Sequence, residues 1–422
     1  MSKGLFRSHN KVGETLSFQI MSDPSVNFTP EVTKINGRVS WDLDNGSGYT
    51  AGDSISYNYP GPQTLKNITL RTNLLSTLNS IDFSNDNIMG HLDLSGLSDL
   101  FNVAPRNFIL DNNTGLTAVT ITHTPHKSNI FNMDNCNLTG TLNLQDLGDM
   151  GGQIKIENNP NLTKILFSGD TGGFTNIFLN NNNLIDLDLS SFKNFTTQFR
   201  CVNNSNITGM TFYTGTSITT TPYFLANALT AYVGDLNLSG LKLEGYFDVR
   251  STKCEKIRHG FNNGTWLKYW VDNCNLTGNH DLSMFPTLGG SILIGDNTNL
   301  TSVTHTASSE TISTYDVSNC DITGIHQLPF TQMGGIFHVH QNNLLTQVIH
   351  SASTQAFSGY TLYDCDLTGF LDLSMLSKIG GDFQCYNNPN LLSIAHSSVA
   401  DNYEVFTSYK INDCSIGGLL NV

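Results

Sequence analysis

A chain of 422 residues has room for two or three ordinary domains, although an internal repeat would override that expectation. Charged residues make up 13%, about half the usual share, and aromatics 10%, which excludes a disordered, highly charged polymer. With Lys+Arg 21 against Asp+Glu 35, a net charge of −14 and no basic run, nucleic acid is not an expected partner.

Residues 1–14 read as an N-terminal arm. The opening MSKGLFRSHNKVGETLSFQI has no apolar stretch long enough for the central region of a secretory signal. No window approaches the roughly 18–20 apolar residues of a membrane span, so membrane insertion is not expected. The expected locations are a virus particle assembled in the host cytoplasm, the cytoplasm itself, or a cell surface reached by a non-classical route.

Residues 15–80 read as a small all-β module. It contains Trp41-Asp42-Leu43-Asp44-Asn45-Gly46-Ser47, then Tyr57-x-Tyr59, Pro60-Gly61-Pro62 and the alternating Ile68-Thr69-Leu70. That order resembles a PKD-type β-sandwich, with Asp44-Asn45-Gly46 where the family carries Gly-Asp-Gly and Tyr57 in place of its His. The resemblance implies a sandwich that caps whatever follows. A stack of strands needs such a cap, because its first member otherwise exposes an apolar core and a strand edge.

From Ile81 the chain is periodic. Cys136, Cys274, Cys320, Cys365 and Cys414 lie in DNCNLTG, DNCNLTG, SNCDITG, YDCDLTG and NDCSIGG, at intervals of 138, 46, 45 and 49. Between them runs a second series, ENNPNLTKI, GDNTNLTSV, HQNNLLTQV and YNNPNLLSI, centred on Asn159, Asn297, Asn342 and Asn388. The period is therefore about 23 with two alternating rung types. The recurring Asn/Cys position steps through Asp86, Asn113, Cys136, Asn159, Asn182, Asn204, Asn227, Thr252, Cys274, Asn297, Cys320, Asn342, Cys365, Asn388 and Cys414. Thr252, in the irregular GYFDVRSTKCEKI, fits least well. At each position a short side chain is expected to hydrogen-bond backbone groups of the turn after the strand.

These rungs match L-x-x-L-x-L-x-x-[N/C]-x-L, and the segments LDLS (92–95, 187–190, 371–374) and FQCYNNPNLLSI (383–394) resemble leucine-rich repeats of Bacteroidota and their phages. The resemblance implies a leucine-rich-repeat solenoid of about fifteen rungs of short parallel β-strands over residues 81–422. LDLS forms the return path. Glycine pairs Gly151-Gly152, Gly289-Gly290, Gly334-Gly335 and Gly380-Gly381 are expected to turn the corner into the next strand. Gly417 to Val422 end inside a rung without a cap of their own.

No catalytic constellation, metal site or cofactor motif stands out. His305, His350 and His396 recur at 45 and 46 residues, but positions two rungs apart lie ~10 Å from one another, too far to share a metal. They occupy the column of Ile121, Phe167 and Phe212, so a core or outer-face role replacing an aromatic is expected. The Asn-x-Ser/Thr sequons at Asn137, Asn161, Asn206, Asn275 and Asn299 arise from the repeat itself. All eight cysteines are expected free, because same-type rungs exceed the ~7 Å Cα limit for a disulfide.

One outward column of the strands reads Trp270, Leu293, Asp316, His338, Thr361, Gln384. The next reads Asp272, Gly295, Ser318, His340, Tyr363, Tyr386. Trp270, Asp316, His338, His340, Tyr363, Gln384 and Tyr386 are the candidate contact residues, suited to a sugar or a protein surface. The expected function is a non-enzymatic virion structural or adhesion protein of a tailed phage, attached by its N-terminal module. The alternative is a bacterial surface or effector protein binding protein or glycan. Expected partners are other virion proteins or a host-surface protein or glycan, with self-association left open.

Overall fold

The computed structural model describes residues 14–34, 38–72, 78–95, 106–121, 128–145, 152–167, 173–192, 194–215, 220–260, 264–285, 287–396 and 403–417. The chain is a parallel β-solenoid with about 23 residues per turn, and no helix occurs among the described residues. It divides into two compact units, Met1–Leu184 and Ile185–Val422. The N-terminal arm lies almost wholly outside the described residues, as do Gly151 and residues 418–422, where the uncapped end is expected.

In the first unit the front sheet runs through Leu78–Asp82, Arg106–Ile109, Ser128–Asn132, Gln153–Lys155 and Gly173–Phe178, each parallel to the next. Residues 14–72 extend the sheets of this unit. Glu14–Met21, Val39–Asp42, Tyr49–Ala51 and Leu65–Thr72 form an antiparallel group whose first strand pairs with the back strand Ile88–Asp93 through Gln19↔Met89 and Ile20↔Ile88. Glu31–Lys34 pairs antiparallel with Leu78–Asp82 and closes the other sheet. The core is shared. Trp41, fully buried, packs edge-on against Phe28 and Phe83 and donates Nε1–H to the Gly52 carbonyl at 2.9 Å, while Phe18 stacks on Phe83. The antiparallel strands thus cover the first parallel rung, satisfying the backbone groups and apolar side chains it would otherwise expose.

In the second unit the front strands are Asn194–Arg200, Thr220–Leu225, Lys242–Asp248, Thr265–Trp270, Thr287–Leu293, Ile312–Asp316, Met333–His338, Ser353–Thr361, Leu376–Gln384 and Tyr403–Lys410, all parallel. Their back strands pair only two by two, as in Lys253–His259 with Val233–Leu238 and Asn299–His305 with Thr277–Leu282. This pairing is the physical form of the two alternating rung types. The LDLS segments lie in back strands and end in a turn closed by the aspartate: Asp188 Oδ1 accepts from Ser190 N–H at 2.9 Å, and Asp372 Oδ1 does the same for Ser374.

Each turn after a front strand contains a residue with φ between 50° and 62°, usually Asn or Asp, such as Asn158 or Asp296, and the first of these turns contains two, Asn85 and Asn87. These residues tolerate the left-handed conformation best after glycine. The buried residue that follows supplies the hydrogen bonds. Asn297 Nδ2 donates to the Val271, Ile294 and Gly295 carbonyls, and its Oδ1 accepts from Leu276 N–H. In the other rung type a thiol does the donating, Cys136 to the Leu110 carbonyl at 3.2 Å and Cys365 to that of Val339 at 3.4 Å. All eight cysteines are free.

Two local expectations need correction. Ala228 has φ 57°, so the buried turn position of its rung is Leu229, not Asn227. Asn227 points outward and donates to Asp248 Oδ2 at 2.8 Å. That rung is two residues longer than the 23-residue count assumes, whereas Thr252, after Ser251 at φ 56°, keeps its place. The glycine pairs at 289, 334 and 380 also do not turn corners. They lie inside front strands, where Gly290, Gly335 and Gly381 take φ 65°, 67° and 64° and create a bulge. A Cβ on Gly381 would lie 1.9 Å from the Ser358 carbonyl oxygen of the preceding rung, so glycine answers both backbone conformation and close approach.

The inward column is an aromatic ladder: Phe199, Phe224, Phe247, Tyr269, then Tyr315, Phe337, Tyr360, Phe383 and Tyr409, with successive neighbours near-parallel at 4.6–5.9 Å. Ile292 interrupts it. Four of these rings carry a hydroxyl into an apolar core, which is costly unless it is hydrogen-bonded. Histidines satisfy them. His305 Nε2 and His326 Nε2 each lie 2.8 Å from the Tyr315 hydroxyl, His259 and His280 hold Tyr269 in the same way, His350 meets Tyr360 at 2.8 Å and His396 meets Tyr409 at 3.2 Å. The recurring histidines are therefore core residues partnered by tyrosine. Burial holds them neutral, with His280 and His326 lowered to about 4 and His350 to about 3.

Candidate recognition face

Outward side chains of the front strands fall into columns because alternate residues of a strand share a face and parallel pairing keeps them in step. In the second unit the register aligns Trp270, Leu293, Asp316, His338, Thr361 and Gln384 in one column. Ser318, His340, Tyr363 and Tyr386 follow two residues later on the same rungs, where Asn319 N–H donates to the His340 carbonyl, Gln341 N–H to that of Tyr363 and Asp364 N–H to that of Tyr386.

His340, Tyr363 and Tyr386 form a continuous stack. The His340 and Tyr363 rings lie 4.3 Å apart with planes 7° from parallel, and Tyr363 and Tyr386 are 4.5 Å apart at 3°. Solenoid spacing imposes this, because ~4.8 Å between rungs is close to the stacking distance of planar rings. The rings therefore spend their faces on one another and present edges, hydroxyls and an imidazole outward. His338 flanks the stack with its ring centroid 5.7 Å from that of His340 and its Nδ1 3.8 Å from Asp316 Oδ2, an ion-pair distance rather than a hydrogen bond. Burial acts to raise the Asp316 pKa, but His338 and the two Ser318 bonds, from Oγ at 2.6 Å and N–H at 2.9 Å, outweigh it and hold the carboxyl below its ordinary value. Burial lowers His340. Gln384 lies half-buried beside the stack, in register with Thr361.

Trp270 belongs to a different group, three rungs from His338. The Arg250 guanidinium sits 4.2 Å from its ring centroid and the Lys268 ammonium 4.7 Å from it, both cation–π distances, and Trp270 Nε1–H donates to Ser291 Oγ at 3.1 Å. Arg250 is held by Asp248 in a two-point pair at 3.0 and 2.9 Å. Asp272 lies 3.9 Å from Arg250, and burial pushes its carboxyl up to about 6 against the pull of that cation. Tyr223 and Tyr246 stack at 4.8 Å, with Lys268 5.0 Å from the Tyr246 ring. Sequence reading missed Tyr223, Tyr246, Arg250 and Lys268. The signal was present in the alternation Thr265-Trp266-Leu267-Lys268-Tyr269-Trp270, which puts Lys268 and Trp270 on one face.

The outward positions of the first unit are of another kind. Lys155 Nζ lies 2.6 Å from Asp134 and 3.7 Å from Glu157, and Asn158 donates to Asp134 at 2.9 Å, an ionic and amide ladder that satisfies itself. Among the described residues no group of three or more metal-ligating side chains is placed to hold a metal ion, and no helix is long and apolar enough to cross a membrane. Compared with family models, curated proteins and solved structures, the chain matches none.

Proposed function

We propose that the solenoid is a leucine-rich-repeat array of about fifteen rungs of the Bacteroidota and phage type, carried behind a PKD-like N-terminal module, and that it is an adhesion protein of a tailed-phage particle. The outward strand face of Ile185–Val422 makes the contact with the host surface. One observation carries this reading: the stack of His340, Tyr363 and Tyr386 is ordered by its own neighbours before any partner arrives. Preorganised aromatic groups lose little conformational entropy on binding and dominate contact energies. The weakly charged, amide-rich surface around them can exchange hydrogen bonds with water for bonds to a partner at little cost.

Adsorption interference tests it. Purified protein, pre-incubated with Bacteroidota cells, should block attachment of particles that carry the chain, and antibodies to it should label those particles at the tail in electron micrographs. Labelling of the bacterial envelope in uninfected cells, without labelled particles, would instead make it a bacterial surface protein.

A further inference from the structure

The turn thiols donate to a carbonyl of the preceding rung: Cys136 to Leu110, Cys320 to Ile294 and Cys365 to Val339. In the last described rung the same geometry meets a second sulfur. Cys414 Sγ donates to the Cys385 carbonyl at 3.3 Å, so Cys385 stands where Val339 and Ile294 stand in their rungs. The backbone puts it there. Cys385 N–H donates to the Lys410 carbonyl at 2.7 Å, Asn388 is bridged in parallel to Cys414, and Asn388 Nδ2 lies 3.9 Å from Cys385 Sγ. The Cys414 and Cys385 thiols are in hydrogen-bond contact with each other as well. Same-type rungs lie ~10 Å apart and keep their cysteines separate, but these two belong to neighbouring rungs, ~4.8 Å apart.

The two thiols are unlike. Cys385 is fully buried and Cys414 half-buried. The hydrogen bond from Cys385 holds the Cys414 thiol below its ordinary value, while that bond and burial hold Cys385 above it. An accessible sulfur that ionises readily thus sits against a shielded one that can follow it. A second thiol contact differs in this respect. Hydrogen bonds from Cys274 and Thr252 lower Cys254, but Cys254 is fully buried, and the same bond holds the half-buried Cys274 high. There the sulfur that ionises more readily is the one without access to solvent.

The front strand of that rung, Tyr403–Lys410, is paired on one side only among the described residues, and its inward rings Phe406 and Tyr409 are half-buried where Phe383 and Tyr360 are fully buried. In a stack held by nearest-neighbour contacts such a rung opens most easily. We propose that Cys385 and Cys414 form a disulfide on meeting a low-molecular-weight disulfide such as oxidised glutathione, and that the bond fastens this rung to the stack. The Cys414 thiolate attacks one sulfur of the small disulfide, whose S–S bond breaks. One glutathione leaves, takes up the proton that Cys414 gave up, and a mixed disulfide remains. The Cys385 sulfur then attacks Cys414 Sγ and passes its proton to the second glutathione as it leaves. Two protein thiols are oxidised, and one small disulfide is reduced to two thiols. The two Sγ atoms close from hydrogen-bond contact to about 2.05 Å. A reducing cytosol keeps such a pair open and an extracellular medium closes it. The inference stands on these two residues and is independent of the strand face as a recognition surface.

The test incubates the full chain, prepared without oxidant, with oxidised glutathione at pH 7.5, then counts its thiols and maps its linkages by peptide mass spectrometry. Two of the eight thiols should disappear, with Cys385 linked to Cys414 before any other pair. Tryptic cleavage at Lys410 should slow by at least about tenfold on oxidation, because a cross-link suppresses the local opening that the protease needs. Cys385→Val, which puts beside Cys414 the residue that Val339 is to Cys365, should stop at a stable glutathione adduct on Cys414 and keep the fast cleavage. Cys414→Ser should leave Cys385 as a free thiol. Persistence of all eight thiols, first linkage between another pair, or an unmodified Cys414 in Cys385→Val overturns the assignment. Unchanged cleavage of the linked chain overturns its fastening role.

Discussion

The Tyr315 hydroxyl lies 2.8 Å from His326 Nε2, and the same hydroxyl is 2.8 Å from His305 Nε2. A hydroxyl has one proton, so it donates to one imidazole and accepts from the other. His305 Nδ1 has no further partner and is buried. The cheapest arrangement puts the His305 proton on Nε2, donating to Tyr315, while Tyr315 donates to His326. Tyr315→Phe leaves both imidazoles without that partner and should cost about 2–4 kcal/mol. Tyr360→Phe abandons only His350 and should cost about half as much. Urea midpoints of the two variants check this. Combining Tyr315→Phe with His305→Leu and His326→Val should restore much of the loss, because the Phe337 rung, flanked by Leu328 and Val348 at the equivalent positions, already has that composition.

The same histidines set a pH dependence. In the folded chain they stay neutral down to about 4 for His280 and His326 and about 3 for His350, whereas unfolded histidine takes up a proton near 6.5. Between those values the unfolded state binds more protons, so stability falls as pH falls. Each fully shifted histidine contributes about 1.4 kcal/mol per pH unit across that window. Asp272, whose folded value is raised to about 6, acts in the opposite direction and offsets part of it. Denaturation of the second unit at pH 7.5 and pH 5 should therefore show a much lower midpoint in acid. Equal midpoints would mean the histidines are solvated.

Gly381→Ala should destabilise the fold by more than about 2 kcal/mol, since it combines an unfavourable φ with a collision against the Ser358 carbonyl. Gly278→Ala has a similar φ of 66° but open space around the new Cβ, so only the backbone term, about 1 kcal/mol, should appear. Thermal midpoints of the pair separate the two effects.

Much of this was legible in the sequence, and the exceptions have physical reasons. The spacing of Cys136, Cys274, Cys320 and Cys365 gave the period because those side chains occupy one turn geometry. Asn227 misled because composition marks the turn less reliably than the left-handed residue before it, and Ala228 is an unusual choice there. His280 and His326 break the L-x-L pattern of their back strands, at His280-Asp281-Leu282 and His326-Gln327-Leu328. Their role appears only when they are set against Tyr269 and Tyr315, tens of ångströms of chain away in extension but adjacent across the core. Trp270 was grouped with His338 by column alone, whereas Arg250 and Lys268 claim its ring.

Thiol chemistry offers a simple check on the turns. Denatured, unreduced protein should titrate close to eight free thiols. Cys320→Asn should cost no more than about 1 kcal/mol, because Asn342 and Asn297 already fill the equivalent position one rung either side, donating to the same kind of carbonyl. A large loss in calorimetric stability would mean that the two turn types are not interchangeable.

The recognition claim is tested most directly by equilibrium binding of fluorescently labelled protein to Bacteroidota cells, comparing wild type with Tyr363→Ala/Tyr386→Ala. Both rings are partly exposed, and removing the stack should lower stability by about 1–3 kcal/mol, leaving the variant folded at room temperature. The account predicts attachment at least tenfold weaker at unchanged circular dichroism. Attachment equal to wild type, with both tyrosines gone, would contradict it and move the contact off this face.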